Sequence, residues 1–384
     1  MGSVRPGYGT LACVLFLLMG GDHSAVIPGS AQRGIAQALE TYAIGAEVAE
    51  FGFSERSNFL AIARQFPSAA KNWIDLAPDS ERPYRRQVAA ALLLELIHAS
   101  LEQPPEAYER LKGSIESYCT LLRASPAGPF EHTWMLASTA LLAGAHDTEL
   151  LLDGNTVEKG NAGCANAKFG HVCHALSRFP ADSAFALAAV ISAPRIADGA
   201  RQPDVPNAVA LAGGSGVRIG MPIREIPVAE LLEDAVRRLS GLVGNGEVGA
   251  EASLRRGVLA FRLGRHAASL ADLDVATRGA SEPFVRYLAH LYSGVVLDAW
   301  NRPDSALVSY RRAVQTSPGA LSGKTALASA LFRLGYRDEA STVAADAFGS
   351  ATEGLTDPWR QFDSGHYRLW PQYQRALREL VARR

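Results

Sequence analysis

A chain of 384 residues with 38 basic and 39 acidic side chains is close to neutral, which excludes recognition of nucleic acid or of an acidic surface by bulk charge. Apolar residues make up 48% and aromatic ones only 8%, while 64 residues are alanine, so small side chains carry much of the packing. The length suits one large core or two domains, and all but five of the basic residues are arginine, the lysines being Lys71, Lys112, Lys159, Lys168 and Lys324.

Residues 1–31 have the layout of an export signal. Arg5 precedes an apolar run from Leu11 to Gly20, and Gly29, Ser30 and Ala31 supply a small-residue cleavage site. A run of ten cannot cross a bilayer, which takes about twenty residues, so no membrane span is expected once the signal is removed. Cys13 lies inside the run rather than closing it, which argues against a lipid anchor. The expected location is therefore periplasmic or secreted.

From residue 32 to 193 apolar residues recur at helical spacing, and the segment reads as an N-terminal helical domain. The expected helices run from Gly34 to Glu50, Ser54 to Gln65, Glu81 to Leu101, Pro105 to Arg123, Phe130 to Ala143, Ala165 to Arg178 and Asp182 to Ile191. Breaks are expected at Phe66-Pro67, Pro104-Pro105, Ser125 to Pro129 and Phe179-Pro180. Cys119 falls on an apolar helix as a core thiol. Cys164 and Cys173 could form a disulfide in an oxidising compartment, stabilising the fold by roughly 2–3 kcal/mol. Together with His171 and His174 they also make a cluster of ligand types, but the spacing fits no standard zinc pattern and no metal is expected.

Residues 194–227 are rich in proline and carry Gly213-Gly214-Ser215-Gly216, which marks a linker. A helix from Val228 to Val243 opens the next domain, 228–356, and there a repeat appears. Leu263-Gly264-Arg265 aligns with Trp300-Asn301-Arg302 and Leu334-Gly335-Tyr336 at offsets of 37 and 34 residues. The same offsets relate Gly257, Gly294 and Ala328, then Ser269, Ala306 and Ala340, then Leu273, Tyr310 and Ala344, then Ala276, Ala313 and Ala347.

These columns resemble the tetratricopeptide repeat (TPR), with repeats at about 250–283, 287–320 and 321–354. His290 and Lys324 depart from the large residue usual early in the first helix. The resemblance implies an all-α solenoid of antiparallel helix pairs, a TPR-like superhelix whose first helices line a groove that binds another protein or peptide. Carried over to this chain, the groove positions are Leu254, Val258, Phe261 and Arg262, then Leu291, Val295 and Asp298, then Thr325, Ser329, Phe332 and Arg333. Arg262 and Arg333 flanking Asp298 beside the two phenylalanines would suit a mixed apolar and acidic ligand.

Residues 357–384 form an aromatic tail, expected to cap the open face of the last repeat. An alternative gives Trp359, Tyr367 and Trp370 to a small molecule or glycan bound between the helical halves. Catalytic signatures are missing. No Gly-x-Ser-x-Gly elbow, His-Glu-x-x-His pair or phosphate-binding loop occurs, and Gly323-Lys324-Thr325 opens a repeat helix instead. The sequence thus points to a non-catalytic scaffold without a cofactor.

Overall fold

The structure is a computed structural model that describes residues 28–44, 56–124, 127–145, 171–191, 228–349 and 357–382. Residues 1–27 of the signal segment, the linker and Cys164 lie outside these residues, as does the side chain of Cys173, and with them the disulfide, while Gly29, Ser30 and Ala31 fall in the first turn of the first helix.

All regular elements among the described residues are helical: α1 (Pro28–Tyr42), α2 (Arg56–Asp75), α3 (Arg82–Ser100), α4 (Pro105–Lys112), α5 (Ile115–Arg123), α6 (Pro129–Gly144), α7 (His171–Arg178), α8 (Ser183–Ile191), α9 (Val228–Ser240), α10 (Gly246–Arg262), α11 (His266–Gly279), α12 (Pro283–Ala299), α13 (Pro303–Thr316), α14 (Leu321–Arg333), α15 (Arg337–Gly349), α16 (Pro358–Asp363) and α17 (Trp370–Ala382), with one 3₁₀ turn at Tyr367–Leu369. The chain forms two compact units, Met1–Leu141 with Leu369–Arg384, and Leu142–Arg368.

The first unit is built around α3. Its run from Val88 to Ile97 is buried on every side, as expected of a helix that is apolar all round. Helices α1, α2, α4, α5 and α17 pack against it. Two expectations need correction. The Phe66-Pro67 step does not break a helix, because α2 runs through Pro67. Proline fits helical φ but forfeits one bond and crowds the carbonyl of the turn before, a cost outweighed here by the burial of Ala63, Phe66 and Ala70 around it. The stretch from Pro105 to Arg123 is two helices rather than one, parted at Gly113-Ser114, both poor helix formers. Cys119 is a buried thiol of α5, which burial pushes up to about 11.

One charge sits in this apolar setting. Glu95 of α3 is 3% exposed, yet both its oxygens are satisfied. Tyr42 donates its hydroxyl to Oε1 at 2.7 Å, Gln374 donates to Oε2 at 3.1 Å, and Arg378 grips both oxygens at 2.6 Å. Burial, then the Glu95 carboxylate, raise the Tyr42 hydroxyl well above its ordinary range.

The second unit holds the repeats. Leu187, Val190 and Ile191 of α8, with Leu232, Ala235 and Leu239 of α9, pack on Ala252 and Leu259 of α10. Three helix pairs follow, α10 with α11, α12 with α13, and α14 with α15, each pair resting on the next. The turn column has a physical cause. Gly264, Asn301 and Gly335 take φ of +75°, +57° and +89°, the left-handed residue that ends a helix. The amide after each one bonds back to the carbonyl five residues earlier, Arg265 to Ala260, Arg302 to Leu297 and Tyr336 to Leu331.

The crossing column keeps a small residue on the first helix of each pair. A Cβ on Gly257 would stand 3.0 Å from the Leu273 side chain, and one on Gly294 would stand 2.3 Å from the Tyr310 ring. In the third pair both members of the column are alanine, Ala328 and Ala344. Ser269 adds a bond from its hydroxyl to the Gly257 carbonyl at 2.7 Å.

Two outcomes follow from this packing. Gly294→Ala should cost about 1–3 kcal/mol in urea denaturation, because Tyr310 is held by its bond to Asp298 at 2.9 Å and cannot yield freely. Gly319→Ala, where a Cβ meets nothing within 4 Å, serves as the control and should stay within about 0.5 kcal/mol. Arg378→Ala should cost about 3 kcal/mol or more, since it leaves Glu95 buried with too few partners.

Candidate functional site

Helices α10, α12 and α14, the first of each pair, share a face onto which residues 357–368 fold. The expected groove positions divide along it. Leu254 and Leu291, at 0% and 4% exposure, belong to the core between helices and offer no surface, which corrects their assignment to the groove. Val258, Phe261 and Val295 are half-buried against the same core, and Arg262 is half-buried beside them. Thr325, Ser329, Phe332 and Arg333 are exposed, with Phe332 at 64%.

Asp298 does not wait for a ligand between two arginines. Its Oδ2 accepts from the Tyr310 hydroxyl and from Arg333, and Arg333 also donates to Ser329 Oγ at 2.9 Å. Burial, then Asp298, raise the Tyr310 hydroxyl above its ordinary range. The pair is partly solvated, so it contributes little stability and removes much of the net charge that Arg333 would show an acidic ligand. At the turns nearby, Phe261 meets His266, His266 stacks on Trp300 at 5.9 Å, and Arg302 lies 3.9 Å over the Trp300 ring.

The other end of the face is occupied by the chain itself, at three anchor points. Asp357, itself buried, caps α16 by accepting from the Trp359 amide at 2.8 Å. The same carboxylate accepts from the Ser322 amide at 2.7 Å and the Ser322 hydroxyl at 2.8 Å, at the N-terminus of α14, where backbone donors and the helix dipole favour an anion. Tyr287 pairs with the Ser322 hydroxyl at 2.8 Å, and burial pushes the tyrosine hydroxyl up to about 12. Five residues on, Phe362 packs against Tyr292 of α12 at 5.6 Å with the Arg255 guanidinium 4.3 Å over its ring. Six further, Arg368 donates to Glu251 at 2.8 Å and Glu282 at 3.3 Å while lying 4.2 Å over Phe284.

Glu251 is the electrostatic centre of this contact. It is 4% exposed, accepts twice from Arg255 at 2.9 and 2.7 Å, and has His366 Nε2 3.5 Å away. Burial alone would raise its carboxyl, but Arg255, His366 and Arg368 together hold it well below the usual 4.5.

The tail therefore differs from the expected cap. Residues 357–368 lie on the first helices of the repeats, and α17 belongs to the first unit. Trp359, Tyr367 and Trp370 do not make one open platform. Trp370 is 2% exposed and stacks on His98 in the first unit, while in the second unit Tyr367 lies against Gly144 and Trp359 faces solvent at 47%. Among the described residues no group of three or more His, Cys, Asp or Glu side chains is placed to hold a metal ion, and no helix is long and apolar enough to cross a membrane. Glu251, Arg255, Tyr292 and Ser322 were not legible as site residues. The one available signal was Asp357-Pro358, an N-cap followed by proline at the first helical position.

The pH dependence of this cluster is testable. A depressed carboxyl contributes stability that is fully present above about pH 4.5 and is lost as pH falls through its folded value. Glu251→Gln should lower stability by about 3 kcal/mol at neutral pH and flatten the loss between about pH 5 and pH 3, read by urea midpoints across that range. Parallel profiles for the two proteins would show that Glu251 is not the group lost in acid.

No protein-family profile matches the chain, and no curated protein does. Among solved structures it is similar to a MamA protein, with 17% identity, a TM-score of 0.34, and coverage of 55% of this chain and 93% of that one. A second MamA structure is 21% identical at a TM-score of 0.31, covering 46% of this chain and 95% of that one. A Rap protein complexed with Competence and Sporulation Factor is 11% identical at a TM-score of 0.41, covering 91% and 88%. The repeat is visible in the chain's own geometry, and on it the described second unit is a TPR-like all-α stack of helix pairs.

Proposed function

We propose that this chain is a non-catalytic adaptor of the cell envelope that holds a segment of another protein across the face of α10, α12 and α14. The observation that carries this is the face itself. It already binds twelve residues of peptide, 357–368, through a carboxylate site, an aromatic site and an arginine site. A surface able to do so for its own chain has the donors, rings and charge needed for a foreign one. Along α14 of the same face, Thr325, Ser329 and Phe332 remain exposed. Phe332 is the kind of aromatic anchor on which binding energy concentrates. Placement in the envelope is supported by Arg5 and the apolar run from Leu11 to Gly20.

The test is site-specific cross-linking from within the native envelope. A photoreactive residue at Phe332 should give a discrete protein adduct, and one at Val308, which is exposed on α13, should not. Phe332→Asp should weaken capture about tenfold without moving the melting temperature, because the ring is exposed. Equal adducts from both positions, or capture unchanged by Phe332→Asp, would remove this face as the binding surface.

A further inference from the structure

We propose that residues 357–368 are a displaceable internal ligand of the repeat face, and that the partner taking their place carries the same chemistry: a carboxylate, an aromatic ring five residues later and an arginine six beyond it. The proposal rests on the adaptor reading above and adds its specificity and its regulation. Each anchor satisfies a site that also has a partner within the repeats. Glu251 keeps both bonds from Arg255 when Arg368 leaves, Ser322 keeps Tyr287, and Arg255 keeps Glu251 when the Phe362 ring withdraws. Oε2 of Glu251 loses Arg368 but is uncovered to water as the segment lifts, and Oε1 stays paired, so opening leaves no carboxylate both buried and unpaired.

The apolar tie comes from Phe362 and, against Ala143, Gly144 and Ile191, from Gly365 and Tyr367. In the described core of the helix pairs Phe362 is the one side chain supplied by the segment, the rest coming from the repeats. The fit is also incomplete, since Nη1 of Arg368 is buried with no bonding partner. On the outer side Trp359 is 47% exposed and Arg360 is exposed, leaving a handle by which an incoming chain can engage the segment before it lifts. A closed segment lowers the apparent affinity for a competitor by the fraction of time it is open, so weakening it should raise affinity by the same factor.

The probe is a fluorescent peptide with the sequence of residues 356–369, titrated into the full-length protein and into full-length D357N/F362A. The peptide should bind the variant about tenfold or more tighter than the wild type. Its R368A version should lose most of that binding. A folded variant that binds no better than the wild type would overturn the proposal, as would a dimer formed by exchange of the segment between two copies. Should the variant not fold, hydrogen exchange on the wild type decides. Amides of 359–368 exchanging by local opening ahead of those in α10 and α12 support it, and exchange only together with those helices overturns it. If this fails while the Phe332 adduct persists, the internal ligand is lost and the adaptor stands. If both fail, the adaptor reading goes too.

Discussion

The second unit depends on how closely the two helices of a pair can approach. At each crossing the first helix contributes a residue with little or no side chain, and in two of the three the second helix fills the space. The first pair uses Gly257 with Leu273, the second Gly294 with Tyr310, and the third spends both positions on alanine. The first-helix position stays small in all three pairs, while the facing residue varies from alanine to tyrosine. The left-handed turn residues set the exit of each first helix, so the second begins where this contact can form. With spacing and exit angle fixed, the first helices line up and their remaining sides become a shared surface.

Two buried carboxylates organise the parts that apolar packing does not reach. Glu95 draws Tyr42, Gln374 and Arg378 to α3, and Glu251 draws Arg255, His366 and Arg368 to α10. In both cases the ion lies far in sequence from an arginine that satisfies it. Such contacts add little net stability over an apolar pair of similar volume, but they specify geometry, since an aliphatic contact could slide where a bidentate arginine cannot. The C-terminal residues are the partners in each, and the arginine contacts fix the register in which they dock.

What could be read from the sequence was whatever recurs with a period. The offsets of 37 and 34 residues identified the pairs, their turns and their small-residue crossings, because the same local physics is repeated three times. Features that occur once were harder to read. Pro67 gave the signal of a break, and the burial of Phe66 and Ala70 outweighed it. Leu254 and Leu291 stand at groove positions by analogy but face the core, since the side of a helix a residue presents depends on rotation that spacing does not fix. Spacing points to Arg333 and Asp298 but not to their bond, which joins residues 35 apart. The occupant of the face was hidden for the same reason: nothing local to Asp357, Phe362 or Arg368 states that three different helices receive them.

The last helix has a consequence for biosynthesis. Glu95 receives Arg378 and Gln374 from residues made 283 and 279 positions later. A domain ordinarily can fold as soon as its own residues emerge from the ribosome, first domain first. Here the first unit lacks these two partners of Glu95 until α17 has been made, while the helix pairs between residues 246 and 349 are already complete. Order of assembly thus runs against order of synthesis. A nascent chain stalled between residue 349 and α17 would carry finished repeats beside an N-terminal unit still short of its last helix.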